Sequence, residues 1–214
     1  MFKFAFIDLD ATLFNTRQFV EDKKKIFYDQ GVKENDFVHS YLLAIHGNKT
    51  GPVGYYDYTF KNHLKALEGL GYKFKPEVEK ELNSLFKNLY IFPDTYEFLE
   101  DIRKKTEKLV LLSAGNKAFQ VRKLRSIKLD KSFDDIIIPH YHKDQILMER
   151  FKEKTKVLFV NDSLRENKAV KQALPWVQVV SKVNPRTKIE EYQESGIPFF
   201  KTLSEISKYV AKIV

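Results

Sequence analysis

Phe4-Ala5-Phe6-Ile7-Asp8-Leu9-Asp10-Ala11-Thr12-Leu13-Phe14 decides the reading of this chain. Four apolar residues run without a break into two acids one residue apart. A short continuous apolar run fits a strand buried on both faces. Acids just beyond it stand where open α/β sheets bind their ligands, outside the carboxyl ends of the strands. Residues i and i+2 of an extended chain point to the same side, so Asp8 and Asp10 are expected together. Two like charges that close repel unless a cation or a proton joins them. Such a pair suits a metal-assisted reaction with one nucleophilic and one acid/base carboxylate.

Outward from this stretch the chain changes character twice. From about 15 to 92 it reads as helices with aromatic faces. Asn15 or Thr16 caps the first, which is expected to end near Gly31. A second spans 35–46, with Phe37, Tyr41, Leu42 and Ile45 on one face. A breaker-rich loop follows, His46-Gly47-Asn48-Lys49-Thr50-Gly51-Pro52-Val53-Gly54. Helical patterns return at about 55–70 and 76–90, with Pro76 suited to a first turn. Beyond Phe92-Pro93 the pattern alternates. Strands are expected at 109–112, 136–138, 157–160 and 177–180, with helices near 117–126, 143–153, 164–174 and 203–213. Apolar strands separated by helices imply an α/β fold, a Rossmann-like parallel sheet with helices on both faces.

The 214 residues suffice for one domain with a sizeable insert, and 43% of them are hydrophobic, so a real core is expected. Cysteine is absent, which excludes disulfides, thiolate metal sites and a cysteine nucleophile. The apolar run before Asp8 is too short for a secretory signal, and no run approaches the roughly 18 residues of a membrane span. A cytoplasmic protein without a membrane role is expected. The net charge is +8, but 30 of the 37 basic residues are lysines scattered among glutamates. That is the pattern of a solvated surface, and nucleic acid is not an expected partner.

Three later features also end expected strands. Leu109-Val-Leu-Leu-Ser113-Ala114-Gly115-Asn116 supplies a hydroxyl and backbone N–H groups that can hold a phosphoryl oxygen. Lys143 opens the next helix, beside His140 and His142. Val157-Leu-Phe-Val160-Asn161-Asp162-Ser163 ends in a carboxylate, with Glu166 and Asn167 one helical turn on. This ordered series resembles the haloacid dehalogenase (HAD) superfamily of phosphohydrolases over about residues 1–14 and 93–214. The resemblance implies that Asp8 accepts the phosphoryl group and Asp10 is the general acid/base. It implies that Ser113, Ala114 and Lys143 bind the phosphoryl group, and that Asp8, Asp162 and the main-chain carbonyl of Asp10 hold magnesium. The sequence departs from the family at Ala11, where glycine is common, and at Asn161. The second acid of the last motif is not Asp; Glu166, at i+4 from Asp162, is the natural substitute, with Asn167 competing.

The spacing also divides the chain. The long interval between Asp10 and Ser113 holds the helical block, whereas Ser113 and Lys143 lie too close for a second large insert. This resembles the family branch with a small α-helical cap: core at 1–14 and 93–214, cap at 15–92. The implied activity is magnesium-dependent hydrolysis of a small phosphorylated metabolite, a sugar phosphate or nucleotide-like compound, through an aspartyl phosphate. A phosphoryl transferase such as a sugar phosphate mutase, or a phospho-ligand binding protein without turnover, would use the same site. His46, Asn48, Lys49 and Tyr55, in or near the cap loop, are candidates for reading the substrate. His63 shows no partner in the sequence and is expected to be structural.

Overall fold

The computed structural model describes residues 1–46, 57–140, 142–151 and 153–214. Six parallel strands form one sheet in the order β3-β2-β1-β4-β5-β6: β1 Phe2–Ile7, β2 Thr106–Leu112, β3 Asp135–Ile137, β4 Val157–Asn161, β5 Gln178–Lys182 and β6 Phe199–Phe200. The unbroken apolar runs are explained by burial on both faces. Ala5, Ile7, Leu109, Leu111, Leu158 and Val160 enter one cluster, which α5 (Thr95–Arg103), α6 (Lys117–Ser126) and α10 (Leu203–Ile213) complete. Their neighbours Phe6, Val110, Leu112, Val157 and Phe159 enter another, closed by α7 (Lys143–Arg150), α8 (Leu164–Ala173) and α9 (Ile189–Ser195). Successive residues of a strand face opposite ways, so each strand feeds both layers.

Between β1 and α5 stand α1 (Thr16–Asp29), α2 (Glu34–His46), α3 (Phe60–Glu68) and α4 (Pro76–Ser84), followed by a 3₁₀ turn at Leu85–Lys87. Asn15 caps α1 by accepting from the Gln18 N–H, and Pro76 is the first residue of α4. These helices bury Phe19, Phe27, Phe60, Leu67 and Leu82 in the cluster that also lies under the sheet. Phe119 of α6 meets Phe60, Phe86 and Tyr58 with centroids 5.1, 5.3 and 5.3 Å apart.

Several expectations need correction. On α2, Leu42 is exposed; Phe37, Ser40 and Ala44 are the buried face. The third helix starts at Phe60 rather than near 55, because Thr59 caps it. The fourth tightens into the 3₁₀ turn at Leu85. Helices α5 and α9 and the two-residue β6 were not read from the sequence. His63 has partners after all: its ring lies 2.9 Å from the Tyr58 hydroxyl and 3.0 Å from Ser40 Oγ, fully buried. Among the described residues no helix is long and apolar enough to cross a membrane.

Candidate active site

Strand order determines where the site can lie. The chain leaves β1 toward β2 on one side and later returns to β4 on the other, so β1 and β4 flank the switch point of the sheet. Asp8 follows β1, Ser113 follows β2 and Asp162 follows β4, all at carboxyl ends. Asp8, Asp10, Ser113, Ala114, Lys143, Asp162, Ser163 and Glu166 line one cavity of about 230 Å³. The first two do not reach it by strand alternation alone. β1 ends at Ile7, the Asp8 N–H still pairs with Val160 O at 3.0 Å, and the chain then turns through Ala11.

Asp8 is 3% exposed. Its Oδ1 accepts from Lys143 Nζ at 2.6 Å and its Oδ2 from Thr12 Oγ1 at 3.1 Å. Lys143 also lies 3.0 Å from Glu166 Oε2 and donates to Asn161 Oδ1 at 3.0 Å. Burial pushes the Asp8 carboxyl up to about 6, against the Lys143 charge and with the Glu166 charge. Burial and then the Asp8 charge push Asp162 up to about 7, although Asn184 Nδ2 donates to its Oδ2 at 2.6 Å. Lys143 is held above its ordinary value: burial works against its charge, but Asp8 and Glu166 outweigh burial.

Asp10 lives in a different environment. Its Oδ1 accepts from Thr16 Oγ1 at 2.8 Å and from Lys123 Nζ at 2.7 Å; its Oδ2 accepts from Gln120 Nε2 at 2.7 Å. Burial would raise this carboxyl, but the Lys123 charge and these donors more than cancel it and hold Asp10 below the ordinary carboxylate value. Two neighbouring carboxyls are thus shifted in opposite directions, Asp8 up and Asp10 down. Gln120 also donates to Ser113 Oγ at 2.9 Å, tying Asp10 to the end of β2. Gly115 makes room for it: a Cβ there would stand 3.2 Å from Gln120 Cγ, at a φ of +145°.

Gln120, Lys123, Thr16 and Asn184 were not read as site residues. Gln120 and Lys123 lie three apart on α6, both buried, but one buried lysine among 30 carries no mark in the sequence. Glu166 faces the cavity, whereas Asn167 is turned inward, donating to Asn161 O at 3.0 Å and Ser181 Oγ at 2.6 Å. Asn48, Lys49 and Tyr55 lie outside the described residues, as does the side chain of His46.

Of the four carboxylates lining the cavity, Asp8 and Glu166 pair with Lys143 and Asp10 with Lys123, while among the described residues Asp162 has only the neutral Asn184 amide on its side chain. The excess of negative, hard oxygen donors suits a hard divalent cation. Among the described residues no three Asp, Glu, His or Cys side chains form a metal cage. Two carboxylates with a main-chain carbonyl do not require one.

Residues 5–180 match the family model for haloacid dehalogenase-like hydrolases. No curated protein matches the sequence. Among solved structures, the chain is similar to L-2-haloacid dehalogenase from Xanthobacter autotrophicus, at 18% identity over 100% of both chains with a TM-score of 0.66. It is similar to a candidate β-phosphoglucomutase from Thermotoga maritima, at 19% identity over 99% of this chain and 100% of that one, TM-score 0.68. A third is YfnB from Bacillus subtilis, a candidate HAD-hydrolase bound to magnesium, at 17% identity over 98% of both chains, TM-score 0.62. At these identities the likeness establishes the fold.

Proposed function

The chain belongs to the haloacid dehalogenase-like hydrolase family, and on that premise we propose that it is a magnesium-dependent phosphomonoester hydrolase working through an aspartyl phosphate at Asp8. The observation that carries this reading is the grouping of buried Asp8, Asp162 and Lys143 with half-buried Glu166 at the switch point, with Asp10 held apart as a separate carboxylate.

Asp8 attacks phosphorus; the new bond is Asp8 O–P, and the bond to the leaving alkoxide breaks. Lys143, Ser113 and the amides beyond it bind the phosphoryl oxygens, where prearranged donors meet developing charge. Asp10, a carboxylate in the free site, takes up a proton as the negatively charged phosphate binds beside it, gives that proton to the leaving oxygen and later regains one from the water that cleaves the aspartyl phosphate. Asp8, Asp162 and the carbonyl of Asp10 would hold magnesium, which would offset the repulsion between these carboxylates and an incoming phosphate.

Asp10 also favours ester cleavage over carbon–halogen displacement, because a halide leaves without a proton and an alkoxide does not. The helical block at 15–92 is read as the cap that shields the site and reads a small phosphorylated metabolite. The test is phosphate release from a panel of phosphomonoesters with magnesium. Activity is expected to fall by at least about 10³-fold in Asp8→Asn; turnover undiminished in both Asp8→Asn and Asp10→Asn would refute the mechanism.

A further inference from the structure

Lys182, the last residue of β5, is 6% exposed, and among the described residues no carboxylate lies within ion-pair distance of it. Its Nζ donates to the main-chain carbonyl of Ala11 at 3.0 Å and stands 3.7 Å above the ring of Phe92. Burying an ammonium group against a neutral carbonyl is costly, so its two contacts ask for a reason. Ala11 supplies one. Its φ is +57°, the left-handed region that a side chain disfavours. The peptides on both sides of it are tied. The Ala11 N–H meets Phe14 O at 3.0 Å and Thr16 Oγ1 at 2.9 Å, while the carbonyl takes Lys182. Asp10 lies immediately before, and Thr12, which donates to Asp8, immediately after. Phe92, beneath the ammonium group, donates its own N–H to Leu13 O at 3.3 Å.

We propose that Lys182 is a positioning residue, an outside tie that holds Ala11 in its left-handed turn and thereby fixes Asp10 and Thr12 relative to Asp8. Without the tie, Ala11 relaxes toward right-handed backbone. The Asp10–Ala11 and Ala11–Thr12 peptides rotate, and the donors around both catalytic carboxyls move. The kinetic consequence rests on the phosphatase reading; the structural one does not.

Two measurements separate them. The first is amide hydrogen exchange over residues 8–14 in the full chain, without substrate or metal. Lys182→Met is expected to speed it by about tenfold, and adding Ala11→Gly to bring it back to within about threefold of wild type, because glycine adopts positive φ freely. The second is hydrolysis of p-nitrophenyl phosphate with magnesium. Lys182→Met is expected to lower kcat by about ten- to a hundredfold with KM changed less than about threefold, and Ala11→Gly to restore most of it. Unchanged exchange in Lys182→Met, or no rescue by Ala11→Gly, overturns the proposal. Should Lys182→Met fail to fold, Lys182→Arg, whose donors reach as far as the ammonium group, is compared with Lys182→Gln, whose amide donor is uncharged and one bond shorter. Faster exchange in Gln than in Arg supports the tie, and equal exchange overturns it. A wild-type protein that releases no phosphate defeats the phosphatase reading while the exchange data still decide the role of Lys182.

Discussion

Asp162 stores unfavourable electrostatic energy. It is buried beside Asp8, and both carboxyls are raised above the ordinary 3.8, to about 7 and about 6. The folded chain therefore keeps protons that the unfolded chain has released, so this contribution to stability falls as pH rises from about 4 to about 7. Asp10 and Glu166, held low, act oppositely: the stability they contribute is lost as pH falls below their ordinary values. Asp162→Asn is thus expected to stabilise the metal-free protein at pH 8 by roughly 2 kcal/mol and to flatten the loss between pH 4 and 7, while weakening any stabilisation by magnesium. Thermal melts across pH, with and without magnesium, check all three. Lys123 sets the other carboxyl. Without its charge, burial dominates Asp10 and its pKa rises. Lys123→Met is expected to lower kcat by about ten- to a hundredfold and to move upward in pH whichever limb of the pH–rate profile Asp10 governs; a profile that stays in place would separate Lys123 from Asp10 function.

Among the elements, α6 carries most of what the sequence concealed. Its limits at 117 and 126 follow from periodicity, and Asn116 is its N-cap, accepting from the Phe119 N–H at 3.0 Å. What periodicity does not show is that the buried face of this helix holds Gln120 and Lys123 as well as Phe119 and Leu124. Asn116 has a second task, donating from Nδ2 to Asp57 Oδ1 at 2.7 Å, ahead of α3. Asn116→Ala is expected to cost about 1–2 kcal/mol in urea unfolding, from the lost cap and the lost tie together. Asp57→Ala, which leaves the cap intact, is expected to cost less than half of that. The short elements α9 and β6 escaped notice for an ordinary reason: seven and two residues are too few to show a period.

At the scale of the molecule, one aromatic cluster joins the helices between β1 and α5 to the sheet. Phe19 and Phe60 share it with Phe119 and Phe14, and Phe19 is 2% exposed. Folding is therefore expected to be cooperative across both parts. Fluorescence of Trp176, near Phe151 on the far face of the sheet, and far-UV circular dichroism are expected to report one coincident transition. Phe60→Ala is expected to lower stability by about 3–5 kcal/mol and shift both signals together. Two separated transitions would show that the helical block unfolds alone.

The order of β1 to β5 and of the helices other than α5 and α9, the parallel sheet and the meeting of Asp8, Asp10, Ser113, Lys143, Asp162 and Glu166 at one end of it were legible in the residues. Buried strands are written as continuous apolar runs, and acids just past them have one place to go. The partners of those acids were not. Lys123, Gln120 and Lys182 are ordinary polar letters until the fold removes water from them. Burial raises Asp8 and Asp162; against the same burial, the Lys123 charge and the donors of Lys123, Gln120 and Thr16 hold Asp10 low, and no spacing records either effect. The same is true of the left-handed backbone at Ala11, whose carbonyl accepts from an ammonium group 171 residues away.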